Sequence, residues 1–166
     1  MATLSEIMNV HIKRGAYSDV ADILLIQRQV QALHASLEPE RYKPVDDGHL
    51  RAYLQDCMSN EGKLVFVARD LSQVVGYLIL EERESPDTPF TYQTKYALID
   101  QLGVLAAVQK QRIGTLPLEE ATKWCASKGF GVLQLDVRAV NKDAVDFYSK
   151  RGFAAIRLRM AKSVVG

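Results

Sequence analysis

The sequence predicts one mixed α/β domain in which helices cover a single central sheet. Short β-type runs alternate with helical patterns along all 166 residues, and strands interleaved with helices favour this layered architecture. The length fits one domain with a sizeable core. Because no repeat, low-complexity segment or linker divides the chain, we expect residues 1–166 to form a single domain.

Composition argues against several classes of protein. The formal net charge of +1 provides no basic field for nucleic acid and no polybasic patch for a membrane surface. Two distant cysteines, Cys57 and Cys125, argue against a disulfide framework or a zinc knuckle and favour a reducing compartment. The N-terminus lacks the apolar core of a signal peptide, and no apolar run approaches the ~20 residues that span a bilayer. We therefore expect a cytoplasmic protein without a metal, nucleic-acid or membrane partner.

The first third of the chain predicts a strand and two helices. Residues 10–13 are a short strand candidate. Apolar side chains recur at helical spacing from Val20 to Leu33, which predicts a helix that buries one face and ends near residue 35. After a loop with two prolines, a second helix begins at residue 46 or 47. Its apolar stripe consists of Leu50, Tyr53, Leu54 and Cys57.

The remaining two thirds predict further strands that alternate with two helices. Glycine inside a strand often marks a bulge or a close approach, which is our interpretation of Gly103. Glycines also end the two helices, at Gly129 and Gly152. The predicted strands are 64–68, 74–82, 96–104, 132–137 and 153–160, and the helices are 113–128 and 142–150. The element order is therefore β-α-α-β-β-β-α-β-α-β.

The segment Gln109–Gly114 joins a predicted strand to the longest helix of the second half. The first amides of a helix have no internal partner, and the helix dipole adds positive potential, so a helix start can bind a phosphate group. Gly114 removes a Cβ where a pyrophosphate would approach, and Lys110 and Arg112 add cationic reach. Taken alone, the pattern favours an ordinary strand–helix turn, and no GxGxxG or P-loop sequence is present.

A second polar pattern lies on the helix 142–150 and its first cap. Asn141 and Tyr148 are about two turns apart and share one face, with the small Ala144 between them. This face could line a slot for an extended ligand. Each residue alone has a plainer explanation, with Asn141 as the helix N-cap and Tyr148 as a half-buried core tyrosine.

Together the two segments resemble the GNAT superfamily of acyl-CoA-dependent N-acetyltransferases. The family's first signature, Q/R-x-x-G-x-G/A at the start of the central helix, is matched by residues 109–114, with Arg112 where the family usually has its first glycine. The second signature, N-x-x-A-x-x-F-Y-x-x-x-G-F, is matched without a gap. Its residues here are Asn141, Ala144, Phe147, Tyr148, Gly152 and Phe153. The resemblance covers most of the chain from about Leu64 onward and implies a GNAT fold with a mixed sheet and about four helices.

The resemblance implies acetylation of a primary amine, on a small molecule or a peptide, with acetyl-CoA as co-substrate. The amides of the turn would hold the pyrophosphate, strand 96–104 would pair with the pantetheine arm at a bulge near Gly103, and Asn141 would hydrogen-bond that arm. The residues implied in cofactor binding are Leu102, Gly103, Val104, Gln109, Lys110, Gln111, Arg112, Ile113, Gly114, Thr115, Asn141, Ala144 and Tyr148. A homodimer is a further family expectation. The alternative function is a catalytically idle acyl-CoA-binding or protein-interaction module on the same fold.

The implied reaction is attack of a neutral amine on a thioester, with Asp100 and Tyr148 as catalytic candidates. An ordinary aspartate, with a pKa of ~3.9, lies ~6 pKa units below a lysine-type ammonium and cannot simply remove its proton. Asp100 could orient a water, hold the ammonium or act with a raised pKa, or it could be a solvated strand-end carboxylate. Tyr148 would face the thioester sulfur, donate a hydrogen bond to the leaving thiolate and complete the proton transfer late.

The acceptor site is expected in the loops 37–44 and 86–92 and at the end of the first helix. Aromatic side chains are available there, and His34 is a second candidate for the base on the acceptor side. A single histidine at a helix end more often interacts with the helix dipole. The aromatic candidates are Tyr42, Phe90 and Tyr92.

Overall fold

The computed structural model describes residues 9–71 and 73–164. The chain divides into two compact units, Met1–Asp136 and Val137–Gly166. The single domain predicted for residues 1–166 stays a prediction. None of the helices in the described ranges combines the length and apolar character needed to cross a bilayer.

The first unit contains a five-stranded mixed sheet in which spatial order follows chain order. The first four strands are antiparallel neighbours, whereas the fourth and fifth are parallel. This mixed sheet confirms the predicted fold class. The strands are β1 (His11–Arg14), β2 (Lys63–Asp70), β3 (Gln73–Ser85), β4 (Thr94–Val104) and β5 (Leu133–Leu135).

Three α-helices cover the two faces of this sheet: α1 (Val20–Leu37), α2 (Asp47–Ser59) and α3 (Thr115–Ser127). Helices α1 and α2 share one apolar core with β2 and β3. On the opposite face α3 packs against β2 and β3, and Ile113 meets Ala68 and Val75 there. The helix bounds follow local signals, since Asp46 caps α2 by accepting the His49 N–H at 3.1 Å.

The fourth helix, α4 (Lys142–Ser149), lies in the second unit. Its start is fixed by Asn141, whose Oδ1 accepts a hydrogen bond from the Ala144 N–H at 3.2 Å. After the helix, Gly152 adopts a φ of 87°, a left-handed conformation that glycine reaches without steric cost. The predicted helix 142–150 is therefore confirmed.

The predicted strand 153–160 is wrong, because residues 153–164 form no strand with any described part of the chain. Apolar Ile156, Leu158 and Met160 alternate with Arg157 and Arg159, which is the period of a strand. A strand also needs a neighbour that satisfies its backbone N–H and C=O groups. Local alternation cannot supply that neighbour, so the pattern alone does not produce the strand.

Of the two interpretations of Gly103, a bulge or a close approach, the bulge is wrong. Gly103 pairs regularly with Tyr77, and the register of β3 and β4 is instead irregular at Asp100. Gly103 is required for a different reason, since a Cβ there would lie 2.6 Å from the Tyr77 ring, 3.0 Å from Ile26 and 3.1 Å from Val30. Its missing side chain lets α1 lie closely on β4.

Candidate functional site

Asp100 is the extra residue of a bulge in β4. Ile79 of β3 faces Gln101 and Leu80 faces Ile99, so Asp100 has no partner in the ladder. Its side chain reaches α2, where the Tyr53 hydroxyl donates a hydrogen bond to Oδ2. The bulge explains why two consecutive side chains reach the same helical layer, which regular alternation along a strand forbids.

Gln101 is the second of these two side chains. Its Oε1 accepts hydrogen bonds from the Tyr77 hydroxyl at 2.8 Å and from Nε2 of Gln27 in α1 at 3.2 Å. Gln27 is buried. Asp100 and Gln101 therefore form a short polar strip where α1 and α2 meet β4.

Beyond Ile99, one edge of β4, called the open edge below, has no partner strand among the described residues. β5 pairs only with Ala97–Ile99, so within the described ranges residues 100–104 pair with β3 alone. The Leu105 N–H donates to the Val75 carbonyl at 2.9 Å, and backbone direction alternates along a strand, so Leu102 and Val104 direct their backbone groups to the open edge. At that edge the Val104 carbonyl accepts a hydrogen bond from Gln109 Nε2 at 3.3 Å.

The turn between β4 and α3 presents a series of backbone donors. The Gln109 N–H donates to the Ala106 carbonyl, and the Thr115 N–H donates to the Arg112 carbonyl. Between these two, the amides from Lys110 to Gly114 donate no hydrogen bond to any residue that the structure describes. Amides of this kind at a helix start attract anions. The donor set therefore fits a phosphate-bearing group.

Two residues of this turn have left-handed backbones, Lys110 with a φ of 67° and Arg112 with a φ of 64°. This conformation favours glycine, and it costs other residues about 1–2 kcal/mol. Arg112 thus adopts a backbone conformation that suits glycine, the residue that the family usually has at this position. Left-handed residues in a turn bring successive N–H groups together in a concave anion-binding arrangement.

In the second unit, Asn141, Ala144 and Tyr148 belong to the cap and body of α4. The N-cap role of Asn141 is confirmed, and a ligand contact stays a prediction. The Tyr148 ring packs edge-on against Phe147 at 5.2 Å and Phe153 at 5.5 Å between centroids. Burial raises the pKa of Tyr148 to about 12. The phenol is therefore protonated at neutral pH.

Sequence comparison decides the family. The profile of the Acetyltransferase (GNAT) family matches residues 30–153. The chain is a GNAT acetyltransferase. The matched range contains both signature segments, which confirms the resemblance seen in the sequence. The family uses acetyl-CoA. No curated protein sequence is significantly similar to this chain.

Solved structures share the fold of this acetyltransferase. A tetramutant of the BH1408 protein from Bacillus halodurans matches with a TM-score of 0.88 and 20% identity, covering 93% of this chain and 99% of that chain. The aminoglycoside N-acetyltransferase AAC(6')-Iy in complex with CoA gives a TM-score of 0.74 and 12% identity, with coverages of 95% and 96%. An aminoglycoside acetyltransferase from an uncultured soil metagenomic sample matches with a TM-score of 0.66 and 22% identity, covering 95% of this chain and 97% of that chain.

The aromatic residues predicted for the acceptor site differ in their surroundings. His34 lies in the last turn of α1, with its ring 5.1 Å from the Tyr42 ring. Burial lowers the pKa of His34, which favours its neutral form. Phe90 and Tyr92 lie in the loop between β3 and β4 and are 94% and 90% exposed. Among the described residues, no group of three or more His, Cys, Asp or Glu side chains could hold a metal ion.

Tyr53 is the functional candidate that sequence analysis missed. Its position on the apolar stripe of α2 predicted a core residue, and the polar end of the ring went unassigned. One signal for its partner was present, because the consecutive polar residues Asp100 and Gln101 break the alternation of β4. Such a break is typical of a bulge.

Proposed function

We propose that this acetyltransferase moves the acetyl group of acetyl-CoA to a primary amine of a small molecule or peptide by direct attack of the amine. The observation that carries the proposal is the turn before α3, where the amides from Lys110 to Gly114 have no partner among the described residues. These amides would hold the pyrophosphate, with the exposed Lys110 and Arg112 adding positive charge.

The open edge of β4 supports the binding of the pantetheine arm. Leu102 and Val104 direct backbone groups to this edge, so an amide-containing chain could add there as a further strand. Gln109 already donates to the Val104 carbonyl. It would exchange this bond for one from the arm when the co-substrate binds. Asn141 and Ala144 are proposed to contact the same arm, following the family signature.

Asp100 is proposed to hold and orient the acceptor amine. A lysine-type amine is only about one part in a few thousand neutral at pH 7, whereas an α-amine is ~10–15% neutral. The exposed carboxylate of Asp100 would bind the ammonium, and the amine would lose its proton to water before or during attack. His34 remains the alternative base.

Tyr148 is proposed to stabilise the leaving thiolate. In the reaction a C–N bond forms, the C–S bond breaks, and the sulfur takes up charge. A phenol with a pKa of about 12 lies roughly 3.5 pKa units above a thiol of ~8.5, so full proton transfer is uphill by about 5 kcal/mol. Tyr148 would therefore act first as a hydrogen-bond donor, and transfer would be completed late.

The acceptor is proposed to be a small amine or a peptide amine. Two of the three solved structures described above are named as aminoglycoside acetyltransferases, so aminoglycosides are the first amines to test. An acyl-CoA-binding or protein-interaction module without catalysis is the alternative function. A homodimer and a cytoplasmic location stay predictions.

The test is calorimetric titration of the full chain with acetyl-CoA and with CoA. We expect micromolar binding, and ligand at about 100 Kd should add ~2.7 kcal/mol to the free energy of unfolding. Gly114→Ala places a methyl group beside the amides and should weaken binding about tenfold. Gly131→Ala is the matched control, since nothing lies within 4 Å of a Cβ at that position.

Two outcomes would contradict the proposal. Absence of heat and of any melting shift at millimolar ligand would rule out the turn as a CoA site. Binding of acetyl-CoA without release of CoA in the presence of any amine would favour the idle module instead.

A further inference from the structure

Asp100 is oriented by a residue of a different element. The hydroxyl of Tyr53 in α2 donates to Oδ2 of Asp100 in β4. Burial, followed by this hydrogen bond, raises the pKa of Tyr53 far above its usual range. Tyr53 therefore stays the protonated donor throughout the pH range of an assay. The direction of the carboxylate is set by α2 as well as by its own strand.

The cation beside this pair interacts with other carboxylates. Lys63 Nζ lies 5.3 Å from the centroid of the Tyr53 ring. It is 3.3 Å from a carboxylate oxygen of Asp56 and 3.3 Å from one of Glu81. Asp100, by contrast, has no Lys, Arg or His side chain within ion-pair distance in the described ranges. Its negative charge is thus not balanced by a direct cation there.

The donor to Asp100 is a neutral hydroxyl, and this sets the arrangement apart from an ion pair. A lysine or arginine in place of Tyr53 would fix the carboxylate but would also neutralise it. Tyr53 fixes Asp100 and leaves the charge in place. Asp100 is exposed, Tyr53 is half-buried against the α1–α2 core, and Oδ1 of Asp100 accepts no hydrogen bond from the residues that the structure describes. One carboxylate oxygen is therefore oriented for a ligand cation.

We propose that Tyr53 is a positioning residue that holds Asp100 for the acceptor ammonium and so gives the enzyme a preference for cationic primary amines. This inference rests on the proposed function, because it assigns the amine to Asp100. Tyr53 itself need not touch the acceptor. Its contribution is the fixed direction of the free oxygen, which a flexible surface aspartate lacks.

The experiment compares four variants of the full chain: Tyr53→Phe, Asp100→Asn, the double variant and Tyr77→Phe. Sisomicin and 1,4-diaminobutane serve as amines, with saturating acetyl-CoA. Tyr53→Phe should raise the amine KM about tenfold and leave kcat within about threefold. Asp100→Asn should raise KM at least as much, and the double variant should equal Asp100→Asn. Tyr77→Phe is the matched control, because it removes a buried hydroxyl that bonds Gln101 at 2.8 Å.

A spectroscopic measurement tests the pair without turnover. The hydroxyl proton of Tyr53 should give a downfield NMR resonance that disappears in Tyr53→Phe, is lost or shifted in Asp100→Asn and persists in Tyr77→Phe. An unchanged resonance in Asp100→Asn would overturn the proposal. So would an unchanged amine KM in Tyr53→Phe, additive effects in the double variant or an equal rise in KM in Tyr77→Phe.

Failure of the proposed function can be distinguished from failure of the positioning role. In that case the wild-type protein would not bind CoA in the titration, while the Tyr53 resonance would still depend on Asp100. The positioning role would then be rejected together with the function, although the hydrogen bond itself would stand. With CoA binding intact, the KM values and the NMR resonance decide the inference alone.

Discussion

The turn before α3 and the bulge in β4 lie close in sequence, but different parts of the chain build them. The turn offers the backbone amides from Lys110 to Gly114, which do not depend on the side chains that carry them. Arg112 can therefore occupy a glycine position without changing the donor set. The bulge offers a side chain, Asp100, held by Tyr53 from 47 residues away in the sequence. Loss of a side chain should therefore weaken the bulge site strongly and the turn only slightly, whereas a change that reaches the backbone, such as the added methyl group of Gly114→Ala, should weaken the turn.

Tyr148→Phe, which removes the hydroxyl proposed to stabilise the thiolate, should have the largest effect on turnover. Removing the proposed donor to the thiolate should lower kcat by a factor of about 10 to 1,000, in or somewhat below the range typical of general-acid loss. The Kd for CoA should change far less than kcat, because the amides of the turn are untouched. Steady-state kinetics at saturating acetyl-CoA and calorimetry measure the two quantities.

The control for Tyr148→Phe is Tyr17→Phe, which removes a phenol from a side chain that is 59% exposed. This variant should match the wild type in kcat and in melting temperature. An unchanged kcat in Tyr148→Phe would remove the tyrosine from the mechanism. It would also weaken the expectation that sites built from side chains are more sensitive to substitution than the turn, which is built from backbone amides.

The same contrast explains how much could be predicted from the sequence. The turn spans consecutive residues, so its six-residue pattern, together with the second family signature, was enough to predict a phosphate-binding turn at the start of α3. Helix ends were also predictable, because caps such as Asp46 and Gly129 act on their own helix. The family signatures supplied the fold and the acetyl-CoA chemistry.

Features that depend on distant partners could not be predicted in this way. The apolar stripe of α2 included Tyr53, and nothing local showed that its hydroxyl meets Asp100. The bulge was assigned to Gly103, although the glycine there accommodates α1 and the irregular register lies at Asp100. Residues 153–160 have the period of a strand but gain no partner among the described strands. In each case the deciding contact comes from another element.

The second largest effect is expected on stability, from Gly103→Ala. This glycine lies between the bulge and the turn in sequence, and a Cβ would come within 2.6 Å of the Tyr77 ring. Overpacking of a buried site typically costs about 1–3 kcal/mol. For a chain of this size, that corresponds to a melting temperature lower by about 3–10 °C. Thermal unfolding of the ligand-free protein measures it.

Gly131→Ala provides the stability control, because the added methyl group meets no atom within 4 Å. It should change the melting temperature by less than about 1 °C. A Gly103→Ala variant as stable as Gly131→Ala would show that α1 can move away from β4 at little cost. The packing of α1 on β4, the strand that carries Asp100, would then be less rigid than the contacts around Gly103 indicate.

The smallest effect is expected at Arg112, where glycine would restore the family's usual residue. Arg112→Gly relieves a left-handed backbone cost of about 1–2 kcal/mol and adds a glycine flexibility cost of about 0.5–1 kcal/mol. The net gain should be roughly 0.5–1 kcal/mol, or about 1–4 °C in melting temperature. The Kd for CoA should stay within about threefold, since only one exposed cation is lost.

Arg112→Val separates the backbone from the charge. It removes the same cation as Arg112→Gly, but a β-branched residue is a poor occupant of a φ of 64°. The valine variant should therefore melt below the wild type and bind CoA more weakly than the glycine variant. If both variants lost CoA binding equally and strongly, the guanidinium would be the main ligand of the phosphates. The turn would then depend on a side chain, as the bulge does.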